Sequence, residues 1–173
     1  MGSAIHQRVP AQTHTAGGST RGRATPLRLV VLAADAADTV AAAGGLVYDS
    51  VRAGWQVDVY VEKAGDERAL QILGVGGRLI PDTFDFEPLW PDAVYLDAAL
   101  YERDRRVRRM VADSVRRQHA DVAVWHGDSH ADQGRGPGIE HRLSTAARAF
   151  KFHAMNAAGL DPQVAVVEPF RIR

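Results

Sequence analysis

Short runs of consecutive apolar residues alternate along this chain with segments whose apolar residues recur at helical spacing. The run Leu29–Leu32 is typical of a strand buried on both faces, and the stripe that follows it over Val40–Val51 is helical and ends at Gly54. The same patterns predict strands at 57–61, 79–80, 122–125 and 164–167, helices at 69–74, 107–115 and 139–154, and a loop at 82–97. Strands that alternate with helices indicate an α/β fold. The simplest topology is a Rossmann-like three-layer sandwich with a mostly parallel five-stranded sheet in the order 3-2-1-4-5.

Length and composition exclude several classes of protein. The 173 residues suit a single domain at 27–173, and residues 1–26, which contain no acidic residue and no apolar periodicity, are predicted to be a disordered tail. Basic and acidic residues number 21 each, which argues against a dedicated nucleic-acid binder, and the absence of cysteine excludes thiolate chemistry. No apolar stretch is long enough to span a membrane. We therefore expect a cytoplasmic protein with neither a nucleic-acid nor a membrane partner.

Two loops at the predicted sheet edge carry the candidate functional residues. Ligands of such sheets bind beyond the carboxyl ends of the strands where the strand order reverses, here at 33–39 and 126–141. The first loop contains Asp35 and Asp38, three residues apart at the start of a helix. This spacing fits a pair of metal ligands, but it fits still better an N-cap and a third helical residue that stabilise the helix.

The second loop is rich in histidine. His126, His130 and His141 lie within sixteen positions together with Asp128 and Asp132. Neutral imidazole is a common ligand of transition metals, and imidazole with carboxylate suits a hydrolytic metal centre.

This framework resembles the PIG-L/LmbE family of metal-dependent N-deacetylases and amidases over nearly all of residues 28–171. The resemblance is carried by the strand, loop and helix of 29–51 with Gly44-Gly45, by the strand 121–125 leading into His126-Gly127, and by the helical pattern that opens at His141-Arg142. It implies the family's Rossmann-like fold and a site at the two loops.

The family's first motif, Ala-His-Pro-Asp-Asp-Glu, supplies two metal ligands, its histidine and its second aspartate, and a general base, its first aspartate. Alignment through Gly44-Gly45 places the ligand histidine at Asp35, the base at Ala37 and the ligand aspartate at Asp38. The resemblance thus implies that one ligand is kept, one is exchanged and the base is lost.

The second motif, His-Pro-Asp-His, aligns with Gly138-Ile139-Glu140-His141. Its last histidine, the third metal ligand, is His141, and Gly138 replaces its first histidine. An alternative alignment on His130-Ala131-Asp132-Gln133 keeps the first histidine and loses the ligand. The helical pattern after His141 favours the first alignment.

The resemblance therefore implies Asp35, Asp38 and His141 as metal ligands. This oxygen-rich set would hold Zn²⁺ or a harder ion such as Mn²⁺ or Mg²⁺, and a chain without metal is the other outcome. Since Ala37 cannot take a proton, the groups available for catalysis in its place are Asp35, His126, Asp128 and His130.

Two functions follow from these substitutions. The first is a degenerate family member, a pseudoenzyme without ordinary N-deacetylase activity, whose cleft at the carboxyl ends of the first and fourth predicted strands binds a small ligand or a partner. The second is a divergent metal-dependent amide hydrolase or a repurposed enzyme that acts on a small metabolite. Ala37 and Gly138 favour the first, and the clustered histidines favour the second. A homo-oligomer is compatible with both.

Overall fold

A computed structural model describes residues 25–126 and 137–173. Most of the predicted tail, and the candidate residues Asp128 and His130, lie outside these ranges. The described residues form the elements β1 Arg28–Ala33, α1 Ala36–Arg52, β2 Gln56–Val61, α2 Arg68–Ile72, β3 Gly77–Leu79, β4 Ala93–Asp97, α3 Ala98–Arg103, α4 Arg105–Gln118, β5 Asp121–Trp125, β6 Gly138–Arg142, α5 Thr145–Ala157 and β7 Val167–Ile172. None of these helices combines the length and apolar character needed to cross a membrane.

The strands form one sheet in the order β3-β2-β1-β4-β5-β7-β6. The first five run parallel, and β7 is antiparallel to both β5 and β6. Alternate residues of β1 face opposite layers: Leu29 and Val31 pack with α1, α2 and α5, while Val30 and Leu32 pack with α3 and α4. The predicted α/β class and its three layers are confirmed.

The predicted number and order of strands are wrong, first because 82–97 was expected to be a loop. Its last five residues form β4, which lies between β1 and β5, so the first and fourth predicted strands are not neighbours. Ala93–Asp97 is buried throughout, as a central parallel strand requires. The prolines and acidic residues at 81–92 masked this short apolar run.

The second correction concerns the C-terminal region. The helix expected from Ile139 begins only at Thr145, because Ser144 caps it by accepting a hydrogen bond from Ala147 N at 3.0 Å. The preceding residues form β6, and the final strand runs over 167–172 rather than 164–167. The added strands β6 and β7 extend the sheet beyond β5.

A buried ion pair joins α1 to α5 and β7. The Glu168 carboxylate on β7 accepts hydrogen bonds from Gly45 N at 2.7 Å and Leu46 N at 2.8 Å, in the middle of α1. Lys151 Nζ on α5 lies 2.6 Å from Glu168 Oε1 and donates to Ala41 O at 2.7 Å. The Lys151 and Glu168 side chains are only 5% and 3% exposed. Because buried charges are tolerated only when they are paired and hydrogen-bonded, this cluster fixes α1 and α5 against β7.

Candidate functional site

The strand order reverses at β1, where a crevice is expected. On one side of β1 lie β2 and β3, and the helices α1 and α2 that connect these strands cover one face of the sheet. On the other side lie β4 and β5, and the helices α3 and α4 between them cover the opposite face. The carboxyl ends of β1, β4 and β5 therefore meet where ligands of doubly wound sheets bind. We call this edge, formed by Ala34–Asp38, Asp97 and Trp125–His126, the crevice.

The two aspartates predicted in the first loop cap α1. Asp35 is the N-cap residue, and its Oδ1 accepts a hydrogen bond from Asp38 N at 2.8 Å. Asp38 Oδ2 accepts from Ala34 N at 3.2 Å, and Asp38 Oδ1 accepts from Trp125 Nε1 at 3.3 Å. Both carboxylates thus stabilise the start of the helix, in the capping arrangement that their spacing favoured.

The surroundings of Asp38 disfavour the ionised form of its carboxyl group. Burial raises its pKa, and the neighbouring carboxylates of Asp97 and Asp35 raise it further, against the opposing hydrogen bonds from Ala34 N and Trp125 Nε1. Asp38 therefore keeps its proton to a higher pH than an ordinary aspartate.

A third acidic residue of the crevice was not found from the sequence. Asp97 ends β4 and caps α3, accepting from Ala99 N at 3.0 Å and Leu100 N at 3.2 Å. Arg103 Nη1 lies 3.9 Å from Asp97 Oδ2, and its Nε and Nη2 donate to both carboxylate oxygens of Glu62, which follows β2. This hydrogen-bonded pair raises the pKa of Arg103 and lowers that of Glu62. A guanidinium group therefore links the edges of β2 and β4, on either side of β1.

His141, which the motif alignment assigns as the third ligand, lies away from the two aspartates. Its Nε2 is 2.9 Å from Asp49 Oδ2, and Ser144 donates to Asp49 through its Oγ at 2.5 Å and its backbone N at 3.1 Å. Asp49 follows Asp38 by three turns of α1, an axial rise of about 16 Å. The structure does not bring His141 to Asp35 and Asp38; instead, Asp49 fastens β6 and the start of α5 to α1.

The remaining candidates are placed only in part. His126 is exposed and directly follows β5, so it lies at the crevice beside Trp125. Within 25–126 and 137–173, no group of three or more histidine, aspartate or glutamate side chains could hold a metal ion. The described residues do not form the family's three-ligand centre. The metal-ligand and catalytic roles that the alignment assigns remain predictions.

A recess opens beside the crevice, between the ends of β2 and β3 and the start of α1. It is shallow and open to solvent, with a cavity volume of about 40 Å³. Its lining includes Ala36, Lys63, Glu67 and Arg78, and so carries charges of both signs. A recess of this size has room for a few water molecules.

Several solved structures with similar architecture are deacetylases. A deacetylase of the teicoplanin biosynthesis pathway, in complex with teicoplanin, matches with a TM-score of 0.57 and 14% identity over 84% of this chain and 97% of that chain. Dbv21, the deacetylase of the antimicrobial A40926 pseudoaglycone, matches with a TM-score of 0.57 and 14% identity over 86% of this chain and 97% of that chain. The N,N'-diacetylchitobiose deacetylase from Pyrococcus horikoshii, in complex with its inhibitor MPG, matches with a TM-score of 0.51 and 14% identity over 84% of this chain and 83% of that chain.

The chain has the PIG-L/LmbE deacetylase fold. This confirms the resemblance predicted from the framework residues. No protein-family model matches the chain, and no curated protein sequence matches it significantly. At these identities the likeness concerns the fold, so the chemistry of the PIG-L/LmbE fold must be argued for this chain from its own residues.

Proposed function

We propose that this PIG-L/LmbE-fold protein binds a small ligand in the crevice and does not catalyse the family's metal-dependent N-deacetylation. The observation that carries the proposal is the separation of the three aligned ligand positions. Asp35 and Asp38 cap α1, and His141 is paired with Asp49 about 16 Å further along that helix. A catalytic zinc site needs three protein ligands around one ion, with a position left open for water or substrate.

The second support is the loss of the general base. Ala37 occupies the aligned position in the first turn of α1, beside Asp38. A methyl group cannot accept a proton from water, and general-base assistance typically contributes 10²–10⁴-fold in rate. A metal held by other residues would have no general base at this position.

The crevice offers groups of complementary character to a ligand. Asp38 and Asp97 supply acceptor oxygens, Arg103 supplies a half-exposed guanidinium, and the Trp125 indole lies beside Asp38. A small molecule with both hydroxyl or amine donors and acceptor oxygens would satisfy these groups. Two of the similar structures are complexes, one with teicoplanin and one with an inhibitor. This supports a small molecule as the class of ligand.

The Trp125 indole N–H provides a direct test because it donates to Asp38. Its NMR resonance is followed while glucosamine, N-acetylglucosamine or N,N'-diacetylchitobiose is added with and without Zn²⁺, and acetate release is measured in the same samples. We expect the Trp125 signal to shift with at least one probe and no acetate to be released. The Trp90 signal is the internal control, since its Nε1 bonds Glu87 far from the crevice.

Two results would contradict the proposal. Zinc-dependent acetate release that is lost in Asp38→Ala would show that the chain is a metal-dependent hydrolase. A Trp125 signal that none of the three probes moves would count against recognition of such ligands in the crevice.

One observation favours a second candidate, an enzyme that acts on a small metabolite. The raised pKa of Asp38, beside Asp97 at the carboxyl end of the sheet, is typical of a carboxyl that exchanges a proton with substrate. Turnover of a bound probe that is abolished in Asp38→Asn, with binding retained, would favour this enzyme over a binding protein.

A further inference from the structure

Strand β6 is an end strand of the sheet. Within the described residues it pairs with β7 on one side only. An edge strand presents alternating N–H and C=O groups outward, and these can pair with the strand of another chain. Among the described residues, nothing pairs with the outer edge of β6, residues Gly138–Arg142.

The exposed face of β6 carries two opposite charges. Glu140 and Arg142 are both exposed, and within the described ranges neither side chain makes a hydrogen bond or an ion pair. They lie two residues apart and so project from the same face of the strand. His141, between them, is buried on the other face against Asp49. The outward face of β6 thus presents an acid and a base in fixed order.

We propose that this edge pairs with the β6 edge of a second copy of the chain, antiparallel about a two-fold axis at His141. In this register Glu140 of each copy lies opposite Arg142 of the partner subunit, which gives two cross-strand ion pairs. Moving the axis to Glu140 or to Arg142 would instead place two like charges opposite each other. Of these three registers, the charge pattern favours the one centred on His141, and pairing in that register makes the sheet continuous across two copies.

The experiment uses charge reversal with rescue. The molar mass of the full chain is measured by light scattering over a concentration series, and we expect twice 18.8 kDa for the native protein. Glu140→Arg alone and Arg142→Glu alone each place like charges at both pairs, and each should raise the dimer dissociation constant by at least about tenfold.

Two rescue arms separate pairing from simple loss of a side chain. An equimolar mixture of the Glu140→Arg and Arg142→Glu proteins should form a heterodimer, because every cross-strand pair is again complementary. The double variant Glu140→Arg/Arg142→Glu should recover the homodimer. The control Asp161→Arg reverses an exposed carboxylate in the loop after α5 and should stay dimeric.

Circular dichroism and thermal unfolding of every variant show whether the fold is kept, and the mixture can be replaced by the double variant if one single variant does not fold. A native chain that is monomeric throughout the series would overturn the proposal. So would single variants that dimerise as tightly as the native chain, or a mixture and a double variant that both stay monomeric.

Discussion

Replacement of Lys151 with methionine should destabilise the fold by about 3–5 kcal/mol. Methionine is close to lysine in length, so little cavity is created, but the ammonium group is lost. Glu168, only 3% exposed, would keep its two bonds from α1 and lose its counter-charge, and Ala41 O would lose a donor at 2.7 Å. A buried charge left without its partner is one of the few single changes with so large an effect.

A double-mutant cycle tests the cause. Glu168→Gln alone leaves the buried Lys151 ammonium unpaired, whereas Lys151→Met/Glu168→Gln leaves no buried charge. The double variant should therefore cost less than the sum of the single variants, by about 0.5–3 kcal/mol.

Urea unfolding, followed by circular dichroism and tryptophan fluorescence, gives each free energy of unfolding. For a chain of this length the loss in Lys151→Met corresponds to a fall in Tm of about 6–20 °C. The control is Lys63→Met at the chain's other, exposed lysine, which should cost less than about 0.5 kcal/mol. A cost for Lys151→Met below about 1 kcal/mol, or strictly additive single effects, would refute the reasoning.

Three further predictions concern α1 and its contacts. Folding raises the pKa of Asp38 from its usual 3.8. The unfolding free energy of the native chain, relative to that of Asp38→Asn, should therefore fall as the pH rises above about 4 and then level off. A difference between the two proteins that does not change with pH in urea titrations would contradict this prediction. Gly45→Ala should cost about 1–3 kcal/mol, since its Cβ would lie 2.3 Å from Leu143 Cγ, and the cost should shrink in a Leu143→Ala background. Asp49→Ala should speed amide hydrogen exchange at the start of α5, because Ser144 loses both of its bonds to Asp49; unchanged exchange there would argue against this fastening.

Periodicity predicted the elements whose sequence pattern is determined locally. The apolar run of β1 and the helical stripe of α1, with Gly54 at positive φ behind it, form as expected. β4 was missed because only four apolar residues separate Pro91 and Asp92 from Asp97. β6 was read as helix because its apolar residues also fit a helical stripe, and a five-residue edge strand has too few residues to separate the two periods.

The crevice could be predicted only where it depends on strand ends. The positions of Asp35, Asp38 and His126 follow from the ends of β1 and β5. Asp97 and its neighbour Arg103 could not be assigned, because their place at the crevice depends on β4 lying beside β1. Contacts between distant segments carry no local signal, and for that reason the motif alignment could not show that the third ligand position is paired with a residue in the last turns of α1.

The metal content of the purified chain is the most direct measurement, after equilibration with Zn²⁺ and, separately, with Mn²⁺. It is compared with that of Asp38→Ala, of His141→Ala and of the double variant, each checked for its fold by circular dichroism. Because Asp38 and His141 lie near opposite ends of α1, we predict that neither substitution lowers the metal content below that of the native chain. One equivalent of metal in the native chain, lost in each single variant, would show that both residues bind one ion and would contradict the proposed loss of the family's centre.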